Sequence, residues 1–157
     1  MKDWKFLRLH LLLVLFLLSA FAFSQTAAEM DDLLGADTVN AASAARFVLG
    51  AADLLPAGVS GAGAENTAYE MARSKGWIKA AAGEAITLKD AAFLIMKAFD
   101  LQGGVMYSLF KNHRYAYREM VYRKIIPGSI NQNKKVSGSA LLQILDSTVS
   151  YIGGGIQ

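Results

Sequence analysis

Apolar side chains recur three and four residues apart along much of the chain, and this spacing places them on one face of an α-helix. The pattern predicts five helices, over residues 39–55, 65–75, 88–101, 113–124 and 138–151. No segment alternates apolar and polar residues for long enough to predict a strand. We therefore expect an all-α fold.

The residues between the predicted helices are typical of turns and helix ends. The segment 56–64, which is rich in glycine and alanine, predicts a loop, and residues 105–112 predict a short apolar turn. Thr87 precedes the third helix as an N-cap residue does, and Asp90 stands where the return partner of a capping box sits. Local signals therefore mark where several of the helices begin and end.

The predicted helices repeat with a period of about 47 to 50 residues. Three pairs of segments align: 67–78 with 115–126, Ile86-Thr87 with Val136-Ser137, and 39–49 with 86–96. A period in this range is typical of supersecondary units that share a core by packing on their neighbours. We expect two complete helix–turn–helix units, preceded by the second half of another.

The two complete units resemble the S-layer homology repeat of bacterial cell-envelope proteins. The matching residues of the first unit are Ala68-Tyr69, the turn Lys75–Ile78 and the run Ile86–Phe99, and those of the second are Ala116-Tyr117, Arg123–Ser129 and Val136–Leu145. The resemblance covers about residues 38–152. It implies three repeats in a pseudo-threefold helical bundle that holds proteins to cell-wall polysaccharide.

The motif that opens the second helix of each repeat differs from that of the family, which is Thr-Arg-Ala-Glu. This chain has Thr87-Leu88-Lys89-Asp90 in one unit and Ser137-Gly138-Ser139-Ala140 in the other. Most of the residues that support sugar binding in the family are therefore replaced. The resemblance lies chiefly in the helical scaffold.

The first 24 residues have the three parts of a bacterial secretory signal peptide. A basic start (Lys2, Lys5 and Arg8) precedes the apolar run 11–23, and Ala22 and Ser24 are small at −3 and −1 from a cut before Gln25. We expect a helical signal peptide and export to the periplasm or cell surface, with an uncleaved anchor as the alternative. Residues 25–37 then form a lead-in, 38–152 the repeat domain and 153–157 a tail.

Charge and cysteine content exclude several classes of function. Without residues 1–24, Lys+Arg falls from 16 to 13 and Asp+Glu from 13 to 12, so the net charge falls from +3 to +1. A nearly neutral domain lacks the basic surface that binds nucleic acid. The absence of cysteine excludes disulfides, thiol catalysis and cysteine-ligated zinc.

The remaining residues do not form a pattern typical of catalysis. His113 is the only histidine after the signal segment, so neither a histidine metal site nor a nucleophile–base pair is indicated. The carboxylates are scattered, without spacing that predicts a pair across a cleft. We expect no enzymatic activity, no cofactor and no metal.

The segment 113–124 offers the richest candidate surface, because tyrosine and arginine are enriched where proteins bind partners and aromatic rings also stack on sugars. We expect a ligand or partner to contact Lys89, Arg114, Tyr115, Arg118, Tyr122 and Arg123. The alternative is that the tyrosines fill the core and the arginines only solvate an outer helix face.

The sequence thus predicts an exported, non-enzymatic binding module of the cell envelope. Its partner would be cell-wall polysaccharide, peptidoglycan or another envelope protein, and a membrane would be touched only through an uncleaved signal segment. The alternative is a structural accessory subunit of an envelope assembly that does not bind glycan.

Overall fold

The computed structural model of this chain describes residues 27–56, 58–128 and 131–154. The signal peptide predicted over residues 1–24 lies outside the described residues, as do positions 155–157 of the predicted tail. The chain divides into two compact units, Met1–Leu33 and Leu34–Gln157. The candidate site described below belongs to the second unit.

The described part of the chain is helical, which confirms the all-α fold. Its helices are α1 (27–35), α2 (Ala41–Ala51), α3 (Gly61–Ser74), α4 (Leu88–Ala98), α5 (Val105–Phe110), α6 (His113–Tyr122) and α7 (Gly138–Gly154). Within those residues there is no strand, only two isolated bridges, Asn40 with Ala85 and Thr87 with Lys135. None of the helices in this part is long and apolar enough to cross a membrane.

Two segments predicted as non-helical are wholly or partly helical. Helix α3 begins at Gly61 rather than Glu65, and its early residue Ala64 is fully buried, so burial overrides the low helix propensity of the glycines around it. Residues 105–110 form α5 instead of a turn. One and a half turns of helix are too short to show a period in sequence.

Three residues at matched positions form a closed ring of backbone hydrogen bonds. The amide of Val39 donates to the carbonyl of Val136 at 2.8 Å, that of Ile86 to Val39 at 2.9 Å, and that of Val136 to Ile86 at 3.1 Å. All three side chains are fully buried. The ring joins the segments that precede α2, α4 and α7 around one centre, as a pseudo-threefold arrangement requires.

The helices that follow this ring begin in the same way. The side chains of Asn40, Thr87 and Ser137 each accept a hydrogen bond from the amide three residues on, the arrangement of an N-cap. The prediction that Thr87 caps a helix is confirmed. Helix α2 begins at Ala41 rather than at residue 39, because Asn40 caps it and Val39 is bonded into the ring.

The C-terminal ends of the corresponding helices also share one backbone conformation. At the ends of α2 and α4, Asp53 and Asp100 adopt left-handed φ angles of 54° and 48°. At the ends of α3 and α6, Gly76 and Lys124 do the same, with φ of 69° and 59°. In each case the next amide bonds the carbonyl five residues earlier, the bond that defines a Schellman cap. These positions are 47 and 48 residues apart, which are the offsets of the sequence repeat.

The core lies where the second helix of one unit packs on the first helix of the next. Helix α2 packs on α3, and α4 packs on α6. The apolar stripe of α4, formed by Ala91, Leu94, Ile95 and Ala98, is buried throughout. Ala52 and Leu55, which would continue the stripe of α2, lie beyond the end of that helix and are partly exposed. Ile152, an apolar residue near the end of α7, is exposed.

Candidate functional site

A hydrogen-bonded pair joins the start of α4 to the start of α6. The Nδ1 atom of His113 lies 2.7 Å from the Oδ1 atom of Asp90. The second carboxylate oxygen of Asp90 accepts a hydrogen bond of 2.5 Å from the Thr87 hydroxyl, and that hydroxyl in turn caps the amide of Asp90. The helix cap therefore fixes the carboxylate that holds the histidine.

The imidazole of His113 is held on a second side by stacking. Its ring lies 4.3 Å from the ring of Phe93 on α4, with an angle of 16° between their planes. The ammonium of Lys97 lies 5.5 Å from the same phenyl ring. The local backbone is set by Asn112, which caps α6 by accepting from the amide of Tyr115 at 3.1 Å. These contacts leave His113 mostly buried with one fixed orientation.

The environment of Asp90 lowers the pKa of its carboxyl group below the ordinary value. Partial burial acts in the opposite direction and is the largest single influence. The hydrogen bonds from His113 and Thr87, with the positive charges of His113 and Lys89, together outweigh it. Asp90 is therefore ionised at neutral pH.

An open groove of about 530 Å³ lies beside this pair. It is lined by Lys79, Lys89, Asp90, Asn112, His113, Arg114 and Gln132. These residues come from the loop after α3, the start of α4, the start of α6 and the loop before α7. The groove is thus built where successive repeat units meet, and we call it the Asp90–His113 groove.

The Asp90–His113 groove has an excess of positive charge. Lys79, Lys89 and Arg114 contribute three cations, and Asp90, the single carboxylate among its described lining residues, is already paired with His113. The ammonium of Lys89 donates to the amide oxygen of Asn133 at 2.8 Å. Asn112 and Gln132 add neutral amide groups that can both donate and accept.

The preceding repeat has a related pair with different chemistry. The hydroxyl of Ser43 donates to a carboxylate oxygen of Glu65. Ser43 lies 47 positions before Asp90 and Glu65 lies 48 positions before His113, so both follow the offsets of the repeat. The acidic residue Glu65 therefore occupies, in the preceding repeat, the position that matches His113. In the second complete repeat unit, Ala140 occupies the position that matches Asp90.

The six residues predicted as a binding surface fall into three places. Lys89 and Arg114 line the groove. Tyr115, Arg118 and Tyr122 lie elsewhere on α6, where the Tyr115 ring stacks on Phe110 of α5 at 5.2 Å. The guanidinium of Arg123 pairs with Glu119 at 2.8 Å, bonds the carbonyl of Gln102 and lies 5.2 Å from the ring of Tyr151. Arg123 is thus held between elements of the fold, apart from the groove.

Sequence reasoning missed the centre of the groove. In the sequence His113 stands alone, because its partner Asp90 is 23 residues away and its position there indicates only a helix cap. The repeat alignment carries the missing signal, because offsets of 47 and 48 residues map Ser43 and Glu65 onto Asp90 and His113. Lys79 was also missed, since it lies in a loop with no periodic pattern.

Two further observations concern ligand binding by the compact unit Leu34–Gln157. Among its described residues there is no group of three histidine or acidic side chains arranged to ligate a metal. A smaller cavity of about 240 Å³ lies near the start of α7, and much of its lining is apolar, including Leu88, Ile126, Pro127, Val136 and Ile144. Its lining offers fewer charged groups than the Asp90–His113 groove.

Comparison of the chain with protein-family models, with curated proteins and with solved structures gives no match.

Proposed function

We propose that the chain is an exported, non-enzymatic module of the bacterial cell envelope that binds an acidic cell-wall polymer in the Asp90–His113 groove. The observation that carries this proposal is the set of three cations, Lys79, Lys89 and Arg114, around one already paired carboxylate. The signal-like sequence of residues 1–24 supports the compartment.

The charge of the groove favours an anionic ligand. Each cation extends from a different segment, so a bound phosphate or carboxylate would be approached from more than one side. Oppositely charged groups attract most strongly at low ionic strength, and salt screens them over about 8 to 10 Å. We therefore expect affinity for the polymer to fall as salt is added.

The shape and the neutral groups of the groove favour a polysaccharide over a compact anion. The groove is wide and open, and a volume of about 530 Å³ falls in the range of sites for organic ligands. The amides of Asn112 and Gln132 are suited to sugar hydroxyls, since each can donate and accept hydrogen bonds.

The alternative is a structural accessory subunit that binds another envelope protein and no glycan. One observation favours it: Val105, Met106, Leu109 and Phe110 of α5 are apolar and more than half exposed. Cross-linking in cells followed by identification of the linked partners tests this alternative.

Co-sedimentation with purified cell-wall sacculi tests the proposal. We expect the protein to sediment with sacculi at low salt and to be released as salt rises toward about 0.5 M, where the screening length becomes short. Failure to sediment at low salt would exclude the proposed function. Binding that is indifferent to salt would exclude the cationic groove as its site.

A further inference from the structure

Helix α5 presents one continuous apolar face to solvent. Val105, Met106, Leu109 and Phe110 are 76%, 58%, 70% and 57% exposed. On a helix, residues four apart lie above one another, so Val105–Leu109 and Met106–Phe110 form two adjacent rows. Exposed apolar residues grouped in this way mark interaction sites more often than isolated ones do.

The opposite side of α5 is held against the protein. Tyr107 is buried, and the Ser108 hydroxyl donates to the carbonyl of Gly103 at 3.0 Å. A side chain at position 103 would collide with the Tyr107 ring, so glycine allows this close packing. The outward direction of the apolar face is therefore set by packing on the other side.

The apolar face continues onto α6. The Phe110 and Tyr115 rings stack at 5.2 Å, and Tyr122, two turns further along α6, is 84% exposed. Glu119 on the same side of α6 lies close to Gly104, at the start of α5, which shows that this side of α6 adjoins α5. We call the combined surface, formed by residues 105, 106, 109, 110, 115 and 122, the α5–α6 face.

The two exposed charges beside the α5–α6 face, Lys111 and Arg118, are basic, and Glu119 on the same side of α6 is paired with Arg123. Residues 101–118 contain Lys111, Arg114 and Arg118 and not one Asp or Glu. Lys111 directly follows the apolar helix and Arg118 lies one turn after Tyr115, and both are exposed. A short apolar helix with aromatic and basic residues beside it is the composition that binds at the surface of an anionic bilayer.

The geometry points to the α5–α6 face as a docking site for an anionic phospholipid membrane surface. Met106, Leu109 and Phe110 enter the boundary between headgroups and acyl chains, Tyr115 and Tyr122 lie at the headgroup level, and Lys111 and Arg118 pair with lipid phosphates. This extends the expected membrane contact beyond the signal segment. It is independent of the proposed polymer binding, since the groove uses Lys79, Lys89 and Arg114, whereas the α5–α6 face uses Lys111 and Arg118.

A protein partner fits the charges less well. A protein surface would have to supply acidic groups at the positions of Lys111 and Arg118. An anionic bilayer supplies negative charge everywhere along its plane. A second copy of the chain would bring like charges together, because it carries the same basic residues.

A fluorescent probe on α5 tests this assignment in the full chain. The chain has no cysteine, so a Met106→Cys variant can be labelled at that site alone with an environment-sensitive dye. We expect its emission to shift to the blue when vesicles containing phosphatidylglycerol are added, and to be quenched by quenchers placed in the acyl region. The matched control is a label on Val149→Cys, which replaces an exposed apolar residue of α7. It should show neither change.

A second variant, which lacks two basic residues beside the α5–α6 face, completes the test. Lys111→Asn with Arg118→Gln in the labelled chain should weaken the vesicle-dependent shift at least about tenfold in lipid concentration, since each basic residue near the surface adds to binding. Asparagine suits position 111, where φ is 40°. A label at 106 that stays in water with these vesicles overturns the proposal. So does an equal shift at 149, or a shift that depends on protein concentration without vesicles, which would indicate self-association.

Discussion

The Nδ1 atom of His113 and the Oδ1 atom of Asp90 lie 2.7 Å apart and join the first turns of two helices that belong to successive repeat units. The pair sits at the edge of the groove, so it both fastens α6 to α4 and leaves Asp90 unavailable to neutralise Lys79, Lys89 and Arg114. Stability and the proposed binding therefore depend on the same contact.

Asp90→Asn should destabilise the fold in a pH-dependent way. The lowered pKa means that the ionised carboxylate is favoured in the folded state, so its contribution is complete above the unfolded-state value near 3.8 and is lost as pH falls through the folded-state value. We expect the variant to lose about 1–2 kcal/mol of unfolding free energy at pH 7. Urea unfolding at pH 7 and at pH 3 should show the difference from wild type narrowing in acid.

Asp146→Asn is the control for this experiment, because Asp146 is an exposed carboxylate on α7. A difference between Asp90→Asn and wild type that is the same at both pH values would show that the charge of Asp90 does not stabilise the fold.

Thr87→Ala should cost about 1 kcal/mol, within the range known for N-cap residues, since the hydroxyl serves both the amide and the carboxylate of Asp90. Thr87→Ser keeps the hydroxyl and should be nearly neutral. Denaturant unfolding measures both variants. Equal stability of the alanine and serine variants would mean that α4 does not depend on this cap.

Lys124→Gly should stabilise the protein. Lys124 ends α6 with φ of 59°, a left-handed conformation that glycine adopts without cost, and the matched residue of the preceding unit is Gly76. We expect a gain of about 0.5–1 kcal/mol after the greater freedom of glycine in the unfolded chain is subtracted. The melting temperature reports this gain.

Two matched substitutions in the preceding unit should not stabilise the protein. Gly76→Ala should lose about 1 kcal/mol through its φ of 69° alone, since nothing lies within 4 Å of the added methyl group. Lys75→Gly, at a residue with φ of −82°, should not stabilise. A gain from Lys75→Gly as large as that from Lys124→Gly would refute the explanation from φ.

Ile86→Ala tests how much the buried side chain of a ring residue stabilises the core. Ile86 is fully buried and its amide and carbonyl both belong to the ring, so the cavity left behind should cost about 2–5 kcal/mol. Val149→Ala, at an exposed apolar residue, should change stability by less than about 0.5 kcal/mol. Guanidinium unfolding compares the two, and similar small losses would show that the Ile86 side chain does not stabilise the core.

Local sequence signals predicted much of the scaffold because the physical causes are themselves local. Thr87 is recognisable as a cap from the residues that follow it, and the stripe on α4 is continuous over three turns. The ends of α2 are harder to predict, since Val39 is drawn out of the helix by bonds to Ile86 and Val136, which are 47 and 97 residues away. Such a bond has no signature near residue 39.

The candidate site was only partly predictable for the same reason. Lys89 and Arg114 were identified from residue type, but their convergence depends on the packing of α4 on α6. Arg123 has the same residue type as Arg114 and yet is held by Glu119 and Gln102. Residue type alone could not separate these two arginines.

The most direct test of the proposed function compares two pairs of lysine substitutions in one sacculus-binding assay. Lys79→Gln with Lys89→Gln removes two cations from the groove, whereas Lys75→Gln with Lys124→Gln removes two exposed lysines that follow α3 and α6 outside it. Both double variants lose the same net charge. We predict at least about tenfold weaker binding at low salt for the groove variant, as expected when close charge pairs are lost, and near wild-type binding for the control. Equal binding by the two double variants would contradict the assignment of the groove as the polymer site.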